Sequence, residues 1–334
     1  MNIYDIAKLS GVSIATVSRV VNHSPKVSEK TRRKVQTIMD EMGYTPNVFA
    51  RGLGLNSMQT IGILCPDVAD LYMASAVSNL EKNLNKQGYD CILGCTGDDK
   101  KNRENYVSFF LSKKVDALIF IGSTYAGHSS STNEIDYIVE ASKEVPVFTI
   151  NSYIPGDHIY CVYSDDEQAA YDSTSAFLAQ GQRDILFLYN SKSFSGIQKK
   201  RGYEKAFQNA GLPIREDLCI FSHSGLHETR DLLLSLPYLH FDAALASEDI
   251  LALSVLKYAK AKGLQVPKDI TVVGFNNSSY AICSDPELTS IDNRNATICE
   301  ITVRHILGLL NDGIKPEKAV RVPYKLVKRQ TTTF

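Results

Sequence analysis

The chain has no uninterrupted apolar stretch approaching the ~20 residues that a membrane-crossing helix needs, and residues 1–20 lack the continuous apolar core of an export signal. Both absences point away from the membrane and the secretory route, so the expected location is the cytoplasm. The common catalytic signatures are also missing: there is no GxxxxGK phosphate loop, no GxSxG elbow, no HExxH helix and no carboxylate pair whose spacing argues acid–base work. Neither an enzymatic activity nor a cofactor is expected. The formal net charge is only −1, which gives bulk charge no say in the choice of partner. The seven cysteines are odd in number and scattered through mostly apolar segments, which excludes a disulfide framework and suggests buried, reduced core residues. Cys91 and Cys95 share one face of an expected strand but stand about 13 Å apart by strand rise, too far for a local disulfide. His223 and His227 have no third ligand nearby and Gly225 between them, so no metal site is expected.

What is present is concentrated at the start. Residues 1–57 carry eight Lys and Arg against four acids, whereas the remainder carries 28 against 33. A basic module on a mildly acidic body focuses attraction for DNA on one end. Within it, Ile3–Leu9 reads as a short apolar helix, Gly11 as a turn, and Ser13 as the cap of a second helix. Val17, Val20 and Val21 recur at i, i+3 and i+4 to make one buried stripe, which puts Ala15, Arg19 and Asn22 on the opposite side. A front carrying a small residue, a guanidinium and an amide suits the major groove, where arginine pairs bidentately with guanine. An ordinary helical hairpin with a solvated arginine is the bland alternative. A third helix opening at Ser28 has the apolar stripe Val35, Ile38, Met39 and Met42 and leaves Lys30, Arg33 and Lys34 outward, ready for phosphates. It stops at Gly43, and a short helix that is marginal by itself begins after Pro46.

From Thr60 onward, apolar runs alternate with amphipathic stretches, the pattern of parallel βαβ units. The expected strands are 61–65, 91–95, 117–121, 147–150, 160–163, 185–189, 243–246, 271–274 and 320–327. Helices are expected over 73–87, 103–112, 168–179, 199–209, 251–262 and 296–310. The series runs twice, to about Ile150 and again from about Asp166, which suggests two similar lobes. A ligand would sit between them, at the carboxyl ends of the strands. There the loops supply Asp67, Asp70, Tyr72, Met73, Asp98, Ser123 and Asn151 from one lobe and Asn190, Lys199, Glu248, Asp249 and Asn276 from the other.

The opening residues Tyr4-Asp5-Ile6-Ala7, Gly11-Val12-Ser13, Ala15-Thr16-Val17-Ser18-Arg19-Val20-Val21-Asn22, Gly43-Tyr44 and Pro46-Asn47, followed by Ala50-Arg51 and Leu53, resemble the LacI/GalR family of bacterial transcription regulators. Asp116–Ile119, Gly202-Tyr203, Gly211–Pro213, Asp249 with Ala252, Val266-Pro267, Gly274-Phe275 and Arg329–Thr331 continue the resemblance to the end of the chain. The reading helix 14–19 is most similar to the catabolite-control branch.

The resemblance implies an all-α helix-turn-helix domain over 1–46, a hinge helix and linker over 47–57, and an α/β two-lobed, periplasmic-binding-protein-like body over 58–334. Lobe 1 would comprise about 58–160 and 290–318, and lobe 2 about 161–289 and 319–334. It further implies a DNA surface of Ser13, Ile14, Ala15, Thr16 and Arg19, with Tyr4, Asn22, Ser28 and Thr31 on the backbone. Asn47, Ala50 and Leu53 would belong to the hinge, Leu53 entering the minor groove as a wedge. For the effector it implies Tyr72, Met73, Asn151, Lys199, Asp249 and Asn276.

The expected function is a sequence-specific transcription regulator, a repressor, whose grip on double-stranded, pseudo-palindromic operator DNA responds to a small metabolite such as a sugar. Three residues depart from the family pattern: Lys199 where arginine is common, Glu248 where asparagine precedes the aspartate, and Asn276 where aspartate follows Gly274-Phe275. Control by a phosphorylated carrier protein is the alternative, since Arg304 matches that branch's partner residue although Gly308 replaces its lysine. A solute-binding protein, which would need an export signal in place of residues 1–53, is the more distant one. One helix-turn-helix reads few base pairs, so a homodimer is expected. Because Phe334 follows closely on the last expected strand, no tetramer-forming helix is expected.

Overall fold

The structure, a computed structural model, describes residues 2–21, 24–44, 57–126, 134–223 and 225–334. The expected DNA contacts Asn22, Asn47, Ala50 and Leu53 lie outside the described residues, as does the hinge segment apart from Ser57.

Three helices form the N-terminal module: α1 (Ile3–Ser10), α2 (Ile14–Val21) and α3 (Glu29–Glu41). Each starts on a side-chain cap that satisfies otherwise orphaned amides. Asn2 accepts from the amides of Tyr4 (2.9 Å) and Asp5 (3.2 Å), and the Asp5 carboxylate accepts from the Asn2 amide (2.9 Å), a capping box. The three helices bury Ile6, Ala7, Val17, Val20, Val35 and Met39 against one another. Three expected core positions are corrected here: Met42 is 43% exposed, and Val21 and Ile38 are only half-buried. Met42 already lies beyond the last turn of α3, where the stripe no longer faces its neighbours.

The body is built on two six-stranded sheets. Lobe 1 uses β1 (Thr60–Cys65), β2 (Asp90–Cys95), β3 (Ala117–Ile121), β4 (Val147–Ile150), β5 (Ile159–Ser164) and β11 (Ala319–Val322), all parallel, in the order β11-β5-β4-β3-β1-β2. Lobe 2 uses β6 (Ile185–Tyr189), β7 (Cys219–Phe221), β8 (Ala243–Ala246), β9 (Thr271–Phe275), β10 (Thr289–Asp292) and β12 (Lys325–Val327), in the order β12-β10-β9-β8-β6-β7, with β12 antiparallel. Helices cover both faces: α4 (Leu71–Asn85), α5 (Lys100–Ser112), α6 (Asp136–Ala141) and α12 (Asn295–Asp312) on lobe 1. Lobe 2 carries α7 (Asp166–Ala179), α8 (Phe194–Asn209), α9 (Leu226–Ser235), α10 (Asp249–Lys262) and α11 (Ser279–Cys283). No helix among the described residues is long and apolar enough to cross a membrane.

Several expectations are displaced. Residues 320–327 are not one strand, because the chain leaves the first sheet after Val322 and joins the second at Lys325, with Pro323 between. The chain crosses from lobe 1 to lobe 2 only after Ser164, so a boundary at 160 would cut β5, and β10 belongs to lobe 2 rather than to a segment starting at 290. The short strands β7 and β10 have no sequence expectation. Among the cysteines, Cys65, Cys161 and Cys299 are buried, but Cys95 and Cys283 are exposed and Cys91 and Cys219 half-buried, because strand and helix ends and an edge strand carry them.

Within lobe 2, α7 and α8 approach so closely that a Cβ on Gly202 would sit 2.1 Å from the Glu167 carbonyl oxygen and 2.8 Å from the Tyr171 amide nitrogen. Both obstacles are backbone, so neither can swing aside. Gly202→Ala is therefore expected to force the helices apart and cost roughly 1–3 kcal/mol of unfolding free energy, as overpacking does. Urea denaturation checks this, and an unchanged midpoint would show that the two helices are not locked.

Candidate functional site

On the module, the exposed end of α2 is the candidate DNA surface. Ser13 caps that helix, accepting from the Thr16 amide (3.2 Å), and its hydroxyl pairs with that of Thr16 (2.9 Å). The cap fixes the first turn, from which Ile14 (41% exposed) and Ala15 project outward. Arg19 is exposed one turn later and makes no ion pair among the described residues. Tyr4 stands 65% exposed on α1. Ser28 accepts from the Thr31 amide (3.3 Å) and pairs with the Thr31 hydroxyl (2.9 Å) at the head of α3, while Lys30, Arg33 and Lys34 are exposed along it. Apolar packing on one side thus leaves hydroxyls, one guanidinium and two apolar tips on the other, the set needed for groove and phosphate contacts.

In the body, the carboxyl ends of both sheets meet at a cleft. The Ser123 and Ser193 hydroxyls bridge it at 2.7 Å. Three of its loops hold non-glycine residues in the left-handed region: Asn151 after β4 (φ 59°), Asn276 and Asn277 after β9 (φ 93° and 45°) and Arg294 after β10 (φ 58°). Strain of this kind clusters at functional sites. Unpaired polar atoms occur here as well. Tyr72 Oη, Asn151 Oδ1, Ser164 Oγ, Asp166 Oδ1 and Asn293 Oδ1 are buried without a hydrogen-bond partner among the described residues. Buried polar groups are nearly always paired in folded proteins, so such a group of exceptions needs an explanation.

The expected effector residues fall into two groups. Tyr72 opens α4, where Asp70 caps the helix at the Met73 amide (2.9 Å), and burial pushes its phenol well above the usual pKa. Met73 lies in the same turn, against the glycine that follows β3. Asn276 accepts from Asn293 Nδ2 (3.0 Å), and Lys199 donates to the Ser247 carbonyl (2.9 Å) with its ammonium 4.3 Å from the Phe275 ring centre.

Asp249 differs. Both of its oxygens are committed internally, Oδ2 to the Ser278 amide (2.7 Å) and hydroxyl (2.8 Å), Oδ1 to the Ser290 hydroxyl (2.5 Å). Burial raises its pKa while these donors oppose the rise. A Cβ on Gly274 would lie 2.4 Å from Asp249 Oδ1, so only glycine leaves room for the carboxylate there.

Asp166, Ser195 and Asn293 carry no expectation from the sequence, although Asp166 follows β5 by the same rule that singled out the loops after the other strands. Asp166 is buried, and Ser195 donates to its Oδ2. Burial raises the pKa of Asp166, opposed by Lys199 and by the Ser195 hydrogen bond. Burial likewise raises Glu248, opposed by Lys199 and reinforced by Asp70. Asp166 and Glu248 therefore both lie within reach of the Lys199 charge, and Asp70 within reach of Glu248.

The chain matches the family model "Bacterial regulatory proteins, lacI family" over residues 2–47 and "Periplasmic binding protein-like domain" over 174–332. It is 47% identical over 336 residues to an HTH-type transcriptional regulator of Lachnoclostridium phytofermentans, with 100% of both chains covered. Catabolite control protein A of Priestia megaterium is 30% identical, with 99% of each covered. In three dimensions the chain superposes on the lac repressor dimer bound to operator and the anti-inducer ONPF with a TM-score of 0.86, at 24% identity and covering 99% of this chain and 98% of that one. With a helix-turn-helix module joined to a two-sheet body and this identity along its full length, the chain belongs to the LacI family of bacterial regulatory proteins and is a DNA-binding transcription regulator.

Proposed function

We propose that this protein is a cytoplasmic repressor that binds a pseudo-palindromic operator as a homodimer and is controlled by a small metabolite, a sugar or sugar derivative, held in the cleft between its lobes. The observation that carries the ligand half of this reading is the set of buried, unpartnered oxygens at Tyr72, Asn151, Asp166 and Asn293. They stand just beyond strand ends of both sheets, where hydroxyl donors of a ligand would satisfy them. Closing the lobes around such a ligand changes the spacing of two paired reading heads, with no catalytic step and no cofactor. Lys199 and the Asn276 loop contribute to the ligand surface beside Tyr72, Met73 and Asn151. Asp249 is a positioning residue in this reading, since its carboxylate holds the loop over 276–278 in place. A second reading, control by a protein on the outer face, rests on the groove of about 680 Å³ along α12, where Arg304 lies beside Val303, Leu307 and Ile314.

On DNA, Arg19 reads a base with Ile14 and Ala15 beside it, and Ser13 and Thr16 line the same surface. Tyr4, Asn22, Ser28 and Thr31 hold the backbone, and Asn47, Ala50 and Leu53 form a hinge whose leucine enters the minor groove. Arg19→Ala is expected to cost roughly 1–3 kcal/mol of operator affinity and to relax preference at one base pair per half-site. Gel shifts over a panel of operator variants test this, and a uniform loss across all sequences would demote Arg19 to a phosphate contact. Leu53→Ala is expected to reduce operator bending while barely changing non-specific affinity. Equal bends in circular-permutation gels would remove the wedge.

Asp249→Ala leaves three donors without their acceptor. Since each buried donor left unpaired costs roughly 1–3 kcal/mol, the variant should lose at least about 2 kcal/mol of stability and blunt the ligand response together. Denaturation and operator release measured on the same preparation read both. A normal melting point with a lost ligand response would instead make Asp249 a direct ligand contact.

A further inference from the structure

The inference here rests on the cleft reading above and concerns the charge of the ligand. On the side of the cleft where β5 passes into α7 lies a cavity of about 130 Å³. Tyr153, Tyr163 and Phe194 line it, with Tyr163 meeting Tyr153 at 6.4 Å and 73° and Phe194 at 5.4 Å and 82° between ring planes. Asp166 lines the same cavity at only 3% exposure, its Oδ2 taken by Ser195 and its Oδ1 without a hydrogen bond among the described residues, although the Ser164 hydroxyl beside it helps to hold its pKa down.

No side chain among the described residues makes an ion pair with this carboxylate, although Lys199 is near enough to oppose the rise in its pKa. Lys199 is the internal candidate, but its ammonium donates to the Ser247 carbonyl over the Phe275 ring and forms no ion pair within 4.0 Å among the described residues. Arg321 lines the same cavity with its guanidinium 6.0 Å from the Tyr163 ring centre, but its side chain is 60% exposed and pairs at 3.7 Å with Asp165 rather than with Asp166. Asp70 and Glu248 add further negative charge to the same seam. A carboxylate removed from water without a counter-charge is costly, and aromatic walls favour a cation over an anion or a neutral group. A hydroxyl would satisfy the free oxygen but not the charge.

We infer that the ligand of the cleft carries a protonated amino group, as an amino sugar does, seated in this cavity beside the Tyr163–Phe194 pair and against Asp166. The cavity is too small for a second sugar ring beside that group, so the cationic end is the end that enters. The neutral remainder of the ligand extends out of the cavity into the cleft, where Asn151 and Asn293 keep free oxygens that accept from hydroxyls.

The test is thermal denaturation of the full chain at fixed ionic strength with D-glucosamine, D-galactosamine and D-mannosamine, each set against the corresponding neutral hexose and against D-galacturonate. At least one amino sugar should raise the melting temperature saturably, at concentrations where the neutral and acidic sugars do not. Asp166→Asn should weaken that binding at least tenfold while the ligand-free melting temperature stays within a few degrees. Phe194→Leu, which leaves the carboxylate in place, should weaken it as well and serves if Asp166→Asn does not fold. Stabilisation by a neutral or acidic hexose that equals or exceeds the amino sugar's, or unchanged amino-sugar binding in both variants, would overturn the inference. A neutral-hexose effect abolished by Asn151→Leu would overturn the charge assignment but leave the cleft reading standing. Operator affinity that no sugar of any charge alters would overturn both.

Discussion

Two six-stranded sheets, parallel except for the edge strand β12 and each packed on both faces, constrain everything else in the body. Ile61, Ile63, Ile119 and Phe148 are buried under α4 and α12 on one side of the first sheet, and Leu64, Leu118 and Phe120 under α5 and α6 on the other. The second sheet repeats this with Leu186, Ala244 and Val272 on one face and Phe187, Leu245 and Val273 on the other. Sheets covered in this way have no polar face to offer. Polar chemistry is confined to the strand ends, and the two sets of carboxyl ends face each other, so the cleft follows from the packing.

The cleft is held in shape by interactions that use up some of its most polar groups. Asp249 resembles a ligand contact by type and position, yet its carboxylate ties the start of α10 to the loop after β9 and to β10. Asn151 and Asp166, by contrast, keep an unpaired oxygen although they are as deeply buried. The contrast separates scaffold from surface: a satisfied buried group stabilises the loop, whereas an unsatisfied one waits for a donor. On the DNA side the same division holds, with the Ser13 and Ser28 side chains fixing helix starts and Arg19 left with its donors unspent.

The DNA-reading module was almost entirely legible because its determinants are local. Caps act over three residues, the apolar stripe over four, and the turn at Gly11 requires the left-handed backbone that glycine adopts freely (φ 62°). The module's apolar stripes face the core less fully than expected at Val21 in α2, Ile38 in α3 and Met42 beyond it, since helical periodicity cannot tell where tertiary contact stops. The strands of the body were equally plain wherever four or more apolar residues ran together. Cys219–Phe221 has three residues at a sheet edge, and Thr289–Asp292 is mostly polar in a buried strand, so neither carries a readable pattern.

By itself the sequence determined the class of protein, the helix-turn-helix at its start and the alternation that folds into two lobes, because each depends on neighbours along the chain. The cleft's inner chemistry was decided only in three dimensions. The Ser278 and Ser290 partners of Asp249 lie 29 and 41 residues away, and the Lys199 ammonium finds its acceptor 48 residues on. Whether a carboxylate is spent on the scaffold or left open to a ligand depends on which distant donors folding brings within about 3 Å of it, and no local pattern encodes that.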